Sequence, residues 1–241
     1  MQALRLDVEG DFNSFRLGRS LQYQRTYMFP PKPTLIGLLG AALGCEDVQL
    51  VQLYDTTLTG IILHSYEGLA KDLWGITKLK AGRSAEHAVV VREMLHHPTY
   101  SMYLAPTSAD AALKLEDMKA AFASPAYPLT LGRSDELIVV RASKIANLES
   151  APREACYRNT VLPFDYRKHG HALEKVDTSS GIVEIPQVFR LPMAYSYDRT
   201  RRRKVTRYAV FTHVFGTGVT FKGLKESDGG WRDGSNYFFL C

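Results

Sequence analysis

The chain has 241 residues, enough to bury one substantial core, or a core with a smaller annex. Its three cysteines, Cys45, Cys156 and Cys241, are widely spaced without a CxxC pair, which argues against a disulfide framework or a cysteine zinc site and for a reducing cytoplasm. A formal net charge of +5 favours a polyanionic partner. No apolar run reaches the roughly 18 residues of a membrane span, and MQALRLDVEG lacks the basic, apolar and small-residue succession of a signal peptide.

In chain order, ALRLDVEG sets Leu4, Leu6 and Val8 against Arg5, Asp7 and Glu9, the alternation of a strand with one buried face. The proline ladder Pro30, Pro31, Pro33 disfavours helix before Thr34, which reads as an N-cap, with Gly44 as the stop. Between them LIGLLGAALG is apolar all round and should be buried on more than one side, while Gly37 and Gly40 permit close backbone approach. LTGIILHSY (58–66) predicts a second strand, followed by a basic and less regular section up to His97. TYSMYLAPT predicts a third strand. A helix beginning near Ser108 and ending before Pro125 puts Ala111, Leu115, Met118 and Phe122 on one face, and ELIVVRAS (136–143) predicts a fourth strand. The order β-α-β-β-α-β is that of an α+β, ferredoxin-like arrangement shared by RNA-recognition domains and by many proteins that never touch RNA. After about residue 146 only strand patterns remain, which predicts a C-terminal antiparallel β annex (146–241) beside a first domain of residues 1–145.

Two basic constellations stand out. RTRRRK (199–204) brings Arg201, Arg202, Arg203 and Lys204 together, with Arg207 close behind; it reads as a phosphate contact or as a solvated loop. Near the N-terminus Arg16, Arg19, Arg25 and Lys32 interleave with Phe12, Phe15, Tyr23 and Tyr27. Arginines clamp phosphates and aromatics stack on unpaired bases, so this mixture suits single-stranded nucleic acid; the alternative is aromatic core beneath surface arginines. The start of the Thr34 helix adds amide N–H groups and a positive dipole end. His96 and His97 are adjacent, and in a strand they would point to opposite faces, so no shared metal is expected. His64 reads as a core histidine. YRKHGH (166–171) has side chains suited to metal-free RNA cleavage but reads as a polar loop, and no HExxH, nucleophile elbow or Walker loop occurs.

A first strand ending in Gly10, then FNSFR, then TYMFPPKPTLIGLLGAALG, resembles the N-terminal signature of the CRISPR-associated protein five family of the RAMP superfamily. REMLHHPTYSMYL is similar to the approach to the third strand in the subtype I-B branch, and YPLTLGRSDEL resembles the Leu-Gly-Arg motif before the fourth. The resemblance covers roughly the first 140 residues. It implies a palm of RNA-recognition-like fold with a thumb inserted at about 72–98, in a subunit of a type I Cascade complex that caps the 5′ handle of the CRISPR RNA. The implied partners are that handle, the backbone RAMP subunit, the large subunit that reads the PAM, and target DNA near the PAM-proximal end; no membrane, cofactor or metal is implied. Ser14, Arg16, Lys32 and Thr34 fall in the motif next to the handle, Arg133 in the Leu-Gly-Arg motif, and Lys80 and Arg83 in the thumb. One branch of the family, subtype I-C, cleaves precursor RNA through a Tyr/Lys/His trio, which makes a metal-independent endoribonuclease the alternative. The expectation is a non-catalytic subunit in which Arg16, Lys32 and the Thr34 helix start grip phosphates and Tyr23 or Tyr27 stacks on a base.

Overall fold

The computed structural model describes residues 1–18, 22–78, 86–108, 111–168, 173–179, 181, 184–221, 224 and 230–241. Strand β1 (Gln2–Gly10) is followed by two short pieces, β2 (Phe12–Asn13) and β3 (Tyr23–Gln24), and then by helices α1 (Lys32–Leu43) and α2 (Asp47–Thr56). Next come β4 (Thr57–Ser65), the hairpin β5 (Gly68–Lys78) and β6 (Glu86–His96), β7 (Thr99–Pro106), α3 (Leu115–Ala123) and β8 (Ile138–Asn147). Strands β9 (Glu149–Ser150), β10 (Thr160–Leu162), β11 (Leu173–Asp177), β12 (Gln187–Tyr197), β13 (Arg203–Val214), β14 (Gly218–Phe221), β15 (Gly230–Asp233) and β16 (Asn236–Phe239) complete the chain. The fold is a mixed α+β one, mostly antiparallel, with three helices among the described residues.

A seven-stranded sheet in the order β12-β13-β10-β4-β7-β1-β8 forms the centre. The alternation in β1 turns Leu4, Leu6 and Val8 toward the helices, where they pack with Leu35, Ile36 and Leu39 of α1 and Met118 and Phe122 of α3. On the opposite face Ala3 and Tyr103 lie under the C-terminal hairpin, and Phe238 stacks on Tyr103 at 4.0 Å. Burial of the leucines of α1 contributes roughly 1.5–3 kcal/mol each, so tertiary packing rather than propensity holds this glycine-bearing helix. Gly40 meets α2 so closely that a methyl there would stand 2.6 Å from Leu50.

Several elements differ from the sequence expectations. Helix α1 starts at Lys32, with Pro31 as its N-cap and Pro33 inside the first turn, where a missing N–H removes no helical bond. It ends as expected at Gly44, which adopts φ 71. Helix α2 has no counterpart in those expectations; its start is set by Gln49 Oε1, which accepts the Glu46 N–H at 2.9 Å. Helix α3 begins seven residues later than Ser108, where Asp117 accepts the Lys114 N–H at 3.2 Å. The described parts of the irregular section pair as a long antiparallel ladder, β5 with β6, whose exposed Leu73 and Val89 blur the alternation.

On β13, the buried His213 sits edge-on to Phe29 at 5.2 Å and near Tyr27 and Phe189. Burial pushes its imidazole down to about 3. The native value lies below the unfolded value of 6.5, so the unfolded chain takes up a proton that the native chain refuses; this contribution is full above pH 6.5 and is lost as pH falls toward 3. The expected result is that His213→Leu loses less stability than the wild type between pH 7.5 and 5, read as the urea midpoint at each pH. Equal losses in both proteins would remove His213 as the acid-sensitive group.

Candidate nucleic-acid groove

The two N-terminal motifs and the Leu-Gly-Arg motif meet around one buried carboxylate. Glu136 is 3% exposed. It accepts the Ser14 N–H at 2.7 Å, the Ser14 hydroxyl, and the Arg133 N–H at 3.0 Å. Asn13 Nδ2 donates to the Leu131 carbonyl at 2.7 Å. Burial raises the Glu136 carboxyl above its ordinary value, against the pull of the Ser14 and Arg133 donors and of Arg92. Arg92 ties the hairpin to the same knot, with Nη2 3.0 Å from Asp72 and Nη1 3.1 Å from Asp135. Gly132 runs through this junction at φ 117, where an added methyl would overlap Glu136 Oε2 and stand 2.5 Å from the Ser14 carbonyl oxygen.

Beside this knot lies an open groove of about 1310 Å³. One wall is the segment 14–18 with Gly132 and Arg133; the floor is the first turns of α1, including Thr34 and Gly37; the far wall is β12 and β13. Four arginines line it, Arg16, Arg133, Arg190 and Arg203, with no carboxylate among the described lining residues. Three of them rest on aromatic faces: Arg133 lies 4.3 Å from the Trp74 ring, Arg190 4.5 Å from Tyr208 and Arg203 5.4 Å from Tyr195. Each such pairing contributes on the order of 0.5–1 kcal/mol and restrains a guanidinium at the groove wall; the Arg133 group also donates from Nη2 to the Gln24 side-chain oxygen. Gly37 faces the space, since a methyl on it would meet no heavy atom within 4 Å.

Of the residues singled out from the sequence, Ser14, Arg16, Tyr27, Thr34, Arg133 and Arg203 line this groove. Ser14 acts there as an anchor, its N–H and hydroxyl both directed to Glu136. Lys32 is turned away: it is 8% exposed and lines a separate small cavity with Thr59, His213 and Cys241. Burial lowers its ammonium pKa. The helix start also offers an anion less than expected, because Pro33 has no N–H and the Thr34 N–H donates to the Pro31 carbonyl at 2.9 Å. Tyr23 stands on β3 outside the groove, with its hydroxyl donating to Glu93 at 3.1 Å, and Arg25 opens onto a second cavity of about 160 Å³.

The 199–207 run is divided. Arg203 enters the groove, whereas Arg201 pairs with Asp47 at 2.8 Å and Arg207 with Asp55 at 3.0 Å, both on α2. Arg202 and Lys204 are exposed. Arg19, Lys80, Arg83, His169 and His171 lie outside the described residues. His96 and His97 do not point apart: His97 leaves the strand at φ 46 and the ring centroids are 4.2 Å apart. Sequence reasoning missed Trp74, Arg190, Tyr195 and Tyr208; the signal for the last three was the repeated pairing of arginine with tyrosine along FRLPMAYSY and RKVTRY.

This architecture is that of CRISPR proteins of known structure. It matches a chain of a CRISPR RNA-guided surveillance complex with a TM-score of 0.58 at 14% identity, covering 92% of each chain. A CRISPR protein from Archaeoglobus fulgidus matches with a TM-score of 0.56 at 10% identity over 100% of both chains. At these identities the likeness is one of fold. The chain belongs to the CRISPR-associated protein (Cas_Cas5) family, whose sequence profile matches residues 3–210. No curated protein matches, and no helix among the described residues is long and apolar enough to cross a membrane.

Proposed function

We propose that this protein is a non-catalytic subunit of a type I, I-B-like Cascade complex that holds the 5′ handle of the CRISPR RNA in the groove between α1, the Arg133 turn and β12–β13. The observation that carries this reading is the convergence of FNSFR and LGR, over 110 residues apart in sequence, on a groove lined by four arginines and several aromatic rings. Arginine supplies phosphate contacts, and the guanidinium groups over Trp74, Tyr195 and Tyr208 offer planes on which unpaired bases can stack. In this reading strands β8-β1-β7-β4 with α1 and α3 are the ferredoxin-like palm, the β5–β6 hairpin is the thumb, and residues 146–241 form an annex that extends the palm sheet. The exposed Leu73 and Val89 of the hairpin suit a protein neighbour such as the backbone subunit, with the large subunit and PAM-proximal DNA beyond.

The endoribonuclease reading needs Tyr, Lys and His around one scissile phosphate. No lysine or histidine is among the described lining residues of the groove. Tyr27 and His213 are neighbours, but His213 is 5% exposed and held neutral, and Lys32 is buried as well. The deciding experiment incubates the purified protein with end-labelled repeat RNA in EDTA and splits it between native and denaturing gels. Shifted, intact RNA, preferred over a scrambled control, is the expected result. A discrete cut at one position overturns the non-catalytic reading, and a shift without preference for the repeat overturns handle recognition.

A further inference from the structure

The turn from β6 to β7 is only two residues, His97-Pro98, and it gathers metal-ligating side chains that are not among the groove-lining residues. His96 closes β6, and the φ of 46 at His97 folds the second ring back beside the first. Glu67, just before β5, sets its Oε2 3.4 Å from His96 Nδ1. The ligand atoms of Glu67, His96 and His97 lie within 4.8 Å of one another. Asp11, just after β1, places Oδ1 4.0 Å from His97 Nδ1. Backbone bonds hold these segments together without any ion: the Glu67 N–H donates to the His96 carbonyl and the His97 N–H to the Asp11 carbonyl, both at 2.9 Å. The Phe12 ring, 5.0 Å from that of His96, restricts the imidazole further.

We propose that Glu67, His96 and His97 bind one divalent transition-metal ion of the zinc class, with Asp11 positioned for the fourth ligand place. Two imidazoles and a carboxylate suit zinc, nickel or cobalt, whereas magnesium and calcium take oxygen ligands. A tetrahedral zinc ion with bonds of about 2.0–2.1 Å keeps its ligand atoms roughly 3.3 Å apart. The side chains of His96, Glu67 and His97 are 36%, 67% and 49% exposed, so rotamer changes close the remaining gap without moving backbone. The four residues come from the end of β1, the start of β5 and the end of β6. One ion therefore staples the base of the hairpin to the central sheet and fixes the angle at which the hairpin leaves it. Metal binding at this turn requires no RNA.

The test uses tag-free full-length protein, stripped of metal and carrying Cys45→Ser and Cys156→Ser so that neither thiol competes. Zinc is titrated by calorimetry and cobalt by absorption. The expected result is one zinc per chain, a tetrahedral cobalt spectrum, and a melting temperature that rises with zinc. His97→Gln and Glu67→Gln should each weaken zinc binding at least about tenfold, while the metal-free melting temperature of either variant stays at the parent value. Absence of stoichiometric binding overturns the proposal. So does binding that survives both substitutions unchanged.

Discussion

Replacing Arg133 and Arg203 with alanine is expected to weaken binding of repeat-handle RNA by about 100-fold, taking roughly 1.5 kcal/mol for each charge-assisted hydrogen bond removed. The logarithmic salt dependence should flatten by about 1.4, the value for two phosphate contacts to a single strand. The two arginines stand on opposite walls of the groove, each laid on an aromatic ring, so they reach an extended backbone from two sides. Arg201→Ala with Arg207→Ala is the matched control, since it removes the same charge from side chains already paired with Asp47 and Asp55. That control should change affinity by less than about threefold, because partly screened surface charges add little at a distance. Equal losses in the two double variants would mean that binding follows net charge, and the groove would no longer be the site.

What the sequence made legible, and what it hid, follows from the range of each signal. The alternation of Leu4, Leu6 and Val8 against Arg5, Asp7 and Glu9 reports a local period, and β1 has that face pattern. The stop of α1 at Gly44 is equally local. The beginning of α1 is harder to read because prolines disfavour a helix interior yet are neutral in its first turn, and sequence does not mark which turn they occupy. Lys32 is hidden for the same reason: a lysine beside arginines reads as a surface cation, but helix phase aims it at Thr59 and Cys241. FNSFR and LGRSDEL were both recognisable, whereas the carboxylate joining them was not. Glu136 looks like one more acid beside Asp135 until the Ser14 and Arg133 donors are seen around it. The far wall depends on β12 and β13 pairing across bulges between Pro192 and Tyr195, which brings Arg190, Arg203, Tyr195 and Tyr208 to one side. That is a long-range fact with no local trace.

Gly132→Ala should be the most damaging small substitution in this region, because it acts on the joint and not on the groove lining. At φ 117 the alanine backbone costs about 1–2 kcal/mol before its methyl meets any neighbour. That methyl occupies the place of Glu136 Oε2, so the carboxylate has to leave the donors of Ser14 and Arg133. Each buried group left without a partner costs about 1–3 kcal/mol more. A total of roughly 4 kcal/mol corresponds to a melting temperature about 10 °C lower for a chain of this size. Gly37→Ala is the counterpart on the groove floor: its methyl meets open space, and alanine gains about 0.5–1 kcal/mol over glycine inside a helix. Its melting temperature should therefore hold or rise. If Gly132→Ala melts within about 2 °C of the wild type, the Glu136 junction does not hold the wall. If it melts low yet binds the handle normally at about 10 °C, the junction stabilises the fold without shaping the groove. Loss of both at once is the outcome expected from the proposed function, because the Ser14–Glu136–Arg133 bonds that close the fold also set the position of Arg133 in the groove wall.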